Sequence, residues 1–281
     1  MKKANYRLTG KLPSFDDNTS LLVFWNENLP EISNVLNNLL ITIEGETFCH
    51  FNPLPFHSIN GVVVSNNVAS APEITFWHGK KRSDIVILTA AQPQLEQYRF
   101  FTEIIDFTKK KCNVKTIYTI GSFYGIAAHK SPRELTAIYN NNKTKASFKQ
   151  KIVSGEIDYI SQGFAQRPSA SAFLSWVAMK QNMPAINLWV TMPFYLSSMG
   201  DIMGQRAILS NIEKIFDLKF DYRNADTMIK QQYNMLEDLC KNSVDANDII
   251  ERIAIGDNVT DEETGILLNE INDFFSKFSE K

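Results

Sequence analysis

Three short, strongly apolar runs separated by a helix-patterned segment constrain the fold of this 281-residue chain most tightly. The runs cover residues 85–89, 114–120 and 185–190, and each has the length of a strand without a polar face. Apolar residues at helical spacing, Tyr98 among them, fill residues 95–111 between the first two runs. A strand, a helix and a strand in this order form a βαβ unit with parallel strands. The sequence therefore predicts an α/β body with a largely parallel sheet that helices cover on both faces.

The N-terminal third adds further strand candidates. Residues 21–25 form an apolar run, and Pro30 behind it fits the first turn of a helix. Residues 40–51 are rich in β-branched and aromatic residues, which favours a strand, and shorter candidates follow at 61–64 and 73–77. These segments are further candidates for strands.

The alternation of strands and helices continues after the second apolar run. Residues 140–151 show no clear periodicity and are predicted to be irregular. Residues 169–181 and 202–216 have helical patterns and flank the third apolar run. Helices therefore accompany this strand on both sides in sequence.

Strand signals stop beyond residue 218. Helices are predicted at 225–241, at 245–254 and from Asp261 onward, where Thr260 and Glu263 fit a capping box. We interpret residues 1–218 as an α/β domain and residues 219–281 as a C-terminal helical appendage packed on it. Phe274, Phe275 and Phe278 belong to an apolar stripe on the last helix, which either packs within the chain or forms an interface.

Composition excludes several classes of function. The 29 Lys and Arg residues are balanced by 31 Asp and Glu, so the chain lacks the basic excess of a dedicated nucleic-acid binder. No stretch reaches the roughly 18 apolar residues of a membrane span, and the first ten residues lack an apolar export signal. We expect a cytoplasmic protein with no nucleic-acid or membrane partner, whose three cysteines are reduced.

The sequence predicts no catalytic residue, no metal site and no cofactor. Cys49 and His50 are adjacent in a predicted strand and point to opposite faces, so they do not share one ion with His57. Ser122 and His129 share a predicted loop, but no nucleophile-elbow motif surrounds the serine, which favours a structural histidine.

Residues at the ends of the predicted strands are the candidates for a binding site. Ligands and partners of open parallel sheets collect beyond the carboxyl ends of the strands. We therefore expect the loops that carry these residues to converge on one edge of the sheet. The candidates are Trp25, Asn26, Gln92, Gly121, Ser122, Phe123, Arg167 and Thr191.

Two candidate segments admit two explanations each. Gly121 and Gly125 bracket a strand exit, where backbone N–H groups can face an anion or where glycine permits a turn with positive φ. Arg167 lies just before the predicted helix that Ser169 opens. This segment either holds a phosphate or carboxylate at the helix N-terminus, or serves close packing and capping.

Five segments stand in a specific order and spacing along the chain, at residues 84–93, 100–107, 114–121, 129–132 and 184–195. This order resembles the proteasome assembly chaperone 2 family, most closely its bacterial branch. The resemblance covers about residues 21–278. It implies a three-layer α/β/α body like that of nucleoside phosphorylases, often oligomeric, with no established enzymatic activity.

Two departures from the family pattern affect function. Relatives carry Gly-Trp-Asn-Asp-Ala-Gly after the first strand, whereas residues 24–29 read Phe-Trp-Asn-Glu-Asn-Leu and lack both glycines. A ligand cradled by the backbone is therefore not expected there. The chain ends in Phe-Ser-Glu-Lys, unlike the hydrophobic-Tyr-any tail with which archaeal relatives dock on the proteasome, so docking by the tail is not expected.

Two hypotheses of function follow. The first is a non-enzymatic, chaperone-like protein-binding module that acts as a homo-oligomer on an unknown protein client. The alternative is an enzyme or binder of a small anionic metabolite at the strand-end loops. A flat apolar patch at the strand ends favours the first, and a deep pocket with convergent polar groups favours the second.

Overall fold

The computed structural model describes residues 5–26, 29–58, 62–65, 67–148 and 169–279. The strands are β1 (Tyr6–Leu8), β2 (Thr19–Trp25), β3 (Gly45–Phe51), β4 (Val63–Ser65), β5 (Val68–Ser70), β6 (Ile74–Gly79), β7 (Ile85–Ala90), β8 (Val114–Gly125), β9 (Leu135–Tyr139) and β10 (Ala185–Pro193). The helices are α1 (Pro30–Ile43), α2 (Gln97–Lys111), α3 (Asn142–Phe148), α4 (Ala170–Lys180), α5 (Ile202–Phe216), α6 (Arg223–Asn242), α7 (Val244–Ala254) and α8 (Asp261–Ser279).

Eight strands form one mixed sheet in the order β1-β3-β6-β7-β2-β8-β10-β9. The four central strands β7, β2, β8 and β10 are mutually parallel. The prediction of parallel strands is confirmed for β7, β8 and β10, and β2 adds a fourth. Antiparallel pairing adds β6, β3 and β1 on one side and β9 on the other. The predicted α/β/α fold class is confirmed, and β4 pairs with β5 in a separate ribbon.

The central strands are buried on both faces. Along β2, Leu22 and Phe24 point to one face, which α1 and α5 cover, and Leu21 and Val23 point to the other, which α2 and α4 cover. All four side chains are at most 1% exposed. Burial on this scale is the main favourable contribution to folding, and it fixes which helix lies on which face.

The C-terminal helices α6, α7 and α8 share a separate apolar cluster. That cluster includes Tyr195 and Leu196 from the single 3-10 turn after β10, so the helices pack against this part of the α/β body. The predicted capping box is confirmed, because the Thr260 N–H donates to Glu263 and the Glu263 N–H donates to the Thr260 hydroxyl. The division at residue 218 remains a prediction. No described helix is long and apolar enough to cross a membrane.

The predicted strand over residues 40–51 is wrong in its first part. Residues 40–43 form the last turn of α1, where Leu39 and Ile43 are fully buried at a helical spacing of four. Glu44 ends the helix in a left-handed conformation with φ of 52°, and β3 begins at Gly45. A Cβ on Gly45 would lie 2.5 Å from Leu40 Cδ2, so a larger residue here would displace the end of the Leu40 side chain.

Residues 140–151 are also partly mispredicted, because α3 occupies Asn142–Phe148. The sequence signals did not identify β1, β5 or β9, which have three to five residues each. Such short strands show too few alternations for a periodicity to emerge. The strands β8 and β10 run further than predicted, to Gly125 and Pro193.

Replacing Ile87 tests the burial of the central sheet. Ile87 is fully buried on the face covered by α1 and α5, so Ile87→Asp places an unpaired charge in the core. We expect a loss of at least about 3 kcal/mol in the free energy of unfolding and loss of soluble expression. Ile41→Asp is the matched control, because Ile41 is 77% exposed on α1. Equal urea midpoints for the two variants would contradict the fold.

Candidate functional site

The carboxyl ends of the parallel strands meet at one edge of the sheet, here called the carboxyl edge. It comprises the ends of β7, β2, β8 and β10 in that order. Seven of the eight sequence candidates lie on these strand ends or directly after them, and the eighth, Arg167, lies outside the described residues. Neighbours in register include Thr191 with Phe123 and Trp25 with Ala90.

Trp25 is an anchor inside the protein. It is the last residue of β2 and is 5% exposed, and its indole Nε1 donates to the Ser171 hydroxyl at 2.9 Å. Its ring meets Phe101 edge to face at 6.0 Å. Trp25 therefore joins β2 to α4 and α2 and has almost no surface for a partner.

The positive-φ explanation of the paired glycines is wrong, and the anion-binding explanation stays a prediction. Gly121 and Gly125 lie within β8, paired in register with Trp189 and Pro193 of β10, and neither has a positive φ. A Cβ on Gly121 would lie 3.3 Å from the Trp189 indole ring. Close packing against that ring accounts for glycine at this position.

The remaining candidates divide between the two faces of the sheet. Ser122 is 4% exposed and lies beside Val190 on the face covered by α1 and α5. Phe123 and Thr191 are half-buried and point to the opposite face. Asn26 and Gln92 are exposed. The predicted loop at Ser122 and Phe123 is thus part of a strand, which leaves less room for a binding loop.

Aromatic side chains link the carboxyl edge to the protein surface. Phe101, which contacts Trp25, meets Phe173 at 5.5 Å, and Phe173 stacks on Trp176 at 5.7 Å. Tyr98 contacts Trp176 at 6.1 Å. Tyr98 and Trp176 are 54% and 44% exposed. We name Tyr98, Phe173 and Trp176 the α2–α4 aromatic surface.

The sequence analysis missed this surface. The helical spacing placed Tyr98 on the buried face of α2, which is wrong, because the buried face carries Phe100, Phe101 and Ile104. The signal that identifies such a patch is a large aromatic residue on the solvent-facing side of each of two helices. This signal can be recognised only when the buried side of each helix is known.

A network of buried polar groups lies on the other face of the carboxyl edge. Glu31 accepts hydrogen bonds from the Tyr124 hydroxyl at 2.6 Å and the Asp201 N–H at 2.8 Å. Arg133 donates to the Asp201 carboxylate at 2.5 Å, and both side chains are at most 2% exposed. Burial and the bond to Glu31 raise the pKa of Tyr124, which keeps the phenol protonated. The network connects α1, β8 and the start of α5.

His129 connects this edge to the C-terminal helices. Its backbone N–H and its ring Nδ1 contact the Tyr195 hydroxyl at 2.5 and 3.0 Å. Its Nε2 lies 3.5 Å from Glu237 of α6, a carboxylate that also pairs with Lys130 at 3.0 Å. Burial lowers the pKa of His129. These contacts give the histidine a structural role.

The bond between Trp25 and Ser171 can be tested by a double-mutant cycle. We expect Trp25→Phe and Ser171→Ala each to reduce the free energy of unfolding, because each leaves a buried polar group without a partner. The double variant should lose about 1 kcal/mol less than the sum of the two single losses. Urea denaturation measures all four proteins, and strictly additive losses would exclude the bond.

The buried imidazole of His129 predicts a pH dependence of stability. Since its pKa is lowered in the folded state from the ordinary value of 6.5, the unfolded chain takes up the proton at higher pH. Its contribution to stability is complete above about pH 7 and is lost as pH falls below 6.5, by at most about 1.4 kcal/mol per pH unit.

The variant His129→Gln should show a flatter decline in the free energy of unfolding between pH 7.5 and pH 5.5. His57, whose pKa burial also lowers, is present in both proteins and cancels in the comparison. Parallel pH profiles for the wild type and the variant would show that His129 titrates normally in the fold.

The model of the PAC2 family matches residues 33–239, which is more than half of the chain. No curated protein matches.

Several solved structures share the fold at low identity. A Corynebacterium glutamicum protein of unknown function superposes with a TM-score of 0.71, at 14% identity over 89% of this chain and 96% of that one. The Pyrococcus furiosus archaeal proteasome activator PbaB gives 0.65, at 15% identity over 85% and 99%. The Mycobacterium tuberculosis proteasome-assembly chaperone homologue Rv2125 gives 0.64, at 15% identity over 78% and 94%.

Proposed function

Because this chain belongs to the PAC2 family, we propose that it is a non-enzymatic, chaperone-like protein-binding module that works in the cytoplasm as a homo-oligomer. Two proteins with the same fold support the chaperone-like part, since one is named a proteasome-assembly chaperone homologue and the other a proteasome activator. The client of this chain is a protein that remains to be identified.

The α2–α4 aromatic surface is the observation that carries the proposal. Two large aromatic side chains in mutual contact, each more than 40% exposed, form an apolar patch on the surface. An exposed apolar patch is one of the features that mark protein-interaction sites. Tyrosine and tryptophan are the residues that most often dominate binding energy at protein interfaces. This surface supports the recognition of another protein surface.

A second copy of the chain is the proposed occupant. Lys180 lies over the Trp176 ring at 5.4 Å, so a polar group borders the aromatic patch as it does at protein interfaces. The patch is continuous with the core through Phe173 and Phe101, which holds the exposed rings in place. A rigid aromatic anchor loses little conformational entropy when it is buried by a partner.

The polar groups at the carboxyl edge support a non-enzymatic role. Glu31 bonds to Tyr124, Arg133 to Asp201, and His129 to Tyr195, so these groups are engaged in holding the structure together. A nucleophile and general base need to be within hydrogen-bond reach of each other and of a substrate. The described contacts give these side chains structural partners.

The anionic-metabolite alternative receives little support. A cavity at the carboxyl edge, on the side that α1 and α5 cover, is lined by Glu31, Asp201 and Asp221. Carboxylates repel an anionic ligand unless cations outweigh them. Arg133 is already engaged by Asp201, and Arg167 lies outside the described residues.

Light scattering at micromolar concentration tests the oligomer. The wild type should give a mass that is a multiple of 32.0 kDa, and Tyr98→Ala combined with Trp176→Ala should shift the mass toward the monomer. The exposed side chains contribute little to folding, so the double variant should retain its far-ultraviolet circular dichroism.

Two controls define the result. Ile41→Ala removes a 77% exposed side chain from α1, on the other helix layer, and should leave the mass unchanged. Deletion of residues 279–281 should also leave it unchanged, because these residues are not part of the α2–α4 aromatic surface. A wild-type monomer, or an unchanged mass in the double variant, would refute the proposal.

A further inference from the structure

A cavity of 390 Å³ lies where the first turns of α1, α5 and α6 meet. Glu31, Asp201 and Leu209 are buried lining residues and form its floor. Asn34 and Asn224 are exposed lining residues and form its rim. This volume falls within the range of roughly 300–1,000 Å³ that is typical of ligand pockets.

Two carboxylate oxygens in this floor lack a donor. Glu31 uses Oε1 for both of its hydrogen bonds, and Asp201 uses Oδ2 for its bond to Arg133. Glu31 Oε2 and Asp201 Oδ1 have no hydrogen-bond partner in the part of the chain that the structure describes. Glu31 and Asp201 are 2% and 1% exposed, so both side chains are withdrawn from bulk solvent. A buried acceptor without a donor is unfavourable.

The charge of the floor is also unbalanced. Among the described residues around the floor, two buried carboxylates face one buried guanidinium, that of Arg133. The nearby cation Lys130 pairs with Glu237. A buried charge without a counter-charge is strongly unfavourable. A ligand with one positive charge and several hydrogen-bond donors would therefore complement the floor of the cavity.

The local backbone holds Glu31 in this position. Gly200 adopts φ of +80°, and a Cβ there would lie 3.1 Å from Glu31 Oε1. The carbonyl of Gly200 accepts a hydrogen bond from Gln232 of α6 at 2.7 Å. Glycine at residue 200 thus lets the turn before α5 pass close to the carboxylate. The carboxylate of Glu31, on α1, is thus held in place by the Tyr124 hydroxyl of β8 and by the Asp201 N–H before α5.

We propose that this cavity binds a protonated primary amine on a short aliphatic stem. An ammonium group carries three donors and one positive charge, which match the two unpaired oxygens of Glu31 and Asp201 and the excess negative charge. Met199, Leu209 and Met228 line the same cavity and provide an apolar wall for the stem. A free amine and the lysine side chain of a bound protein share this chemistry.

Calorimetric titration of the wild type with three four-carbon probes tests the proposal. The probes are n-butylammonium chloride, 1-butanol and sodium butyrate at equal ionic strength. We expect butylammonium to bind at least tenfold more tightly than butanol, and butyrate to bind more weakly than either. Equal affinities for butylammonium and butanol would overturn the proposal.

Glu31→Gln provides the matched variant. Its amide oxygen still accepts from Tyr124 and from the Asp201 N–H, while the negative charge is removed. We expect at least a tenfold loss of butylammonium affinity, whereas Asp221→Asn at the exposed rim should change it less than threefold. Unchanged affinity in Glu31→Gln would overturn the proposal, and the wild-type series decides alone if this variant does not fold.

Nα-acetyl-lysine methylamide distinguishes the two sources of the amine. Binding of this probe as tight as that of butylammonium supports a lysine side chain as the natural ligand, and binding of butylammonium alone supports a free amine. Binding of neither overturns the proposal. The mass of the wild type in solution is an independent readout, so failure here leaves the proposed oligomer standing.

Discussion

Complete burial of the four parallel strands on both faces is the constraint on which the rest of the structure depends. Ile85, Ile87 and Leu88 of β7 have no exposed surface, so helices must cover both sides of the sheet. Parallel strands need connections that cross the sheet, and these connections supply α1, α2 and α4. The helix α5, which follows the last strand β10, completes the layer on the side of α1. The same arrangement brings every carboxyl end of the central strands to one edge.

Side chains alternate between the two faces of the sheet along each strand, so the two faces differ in chemistry at the carboxyl edge. Successive residues of β8 point to opposite faces, so Phe123 faces the α2–α4 layer and Tyr124 faces α1 and α5. The first side continues into the aromatic surface at Tyr98 and Trp176. The second side carries the buried carboxylates. The proposed protein-binding surface and the proposed amine site therefore share no atoms.

The polar contacts around His129 also explain how the C-terminal helices are held against the α/β body. Their apolar cluster reaches the α/β body through Tyr195, and Glu237 of α6 approaches His129 at 3.5 Å. Apolar contact alone tolerates small rotations of packed helices, whereas buried hydrogen bonds require one geometry. Gln232 adds a bond to the backbone of Gly200 at 2.7 Å. These contacts fix the orientation of α6 relative to the start of α5.

Local sequence signals determined the long, fully buried elements and the caps. The apolar runs located β7, β8 and β10, residues 202–216 form α5 as the helical pattern predicted, and Thr260 caps α8 with Glu263. These features depend on residues close together in the chain, and their periodicities are strong. The rule that ligands collect beyond the carboxyl ends of parallel strands also placed most candidate residues at one edge of the sheet, because this rule depends only on the strands being parallel.

Only the tertiary structure decided what those residues do. Trp25 became an internal anchor because Ser171, 146 residues away, provides its hydrogen-bond acceptor. Glu31 became a buried carboxylate because α5, which begins at residue 202, closes over it through the Asp201 N–H, 170 residues away. Tyr98 is exposed because its neighbours Phe100 and Phe101 occupy the core. Such outcomes depend on pairs of residues distant in sequence, so burial, partners and charge balance are set by packing and not by the local pattern.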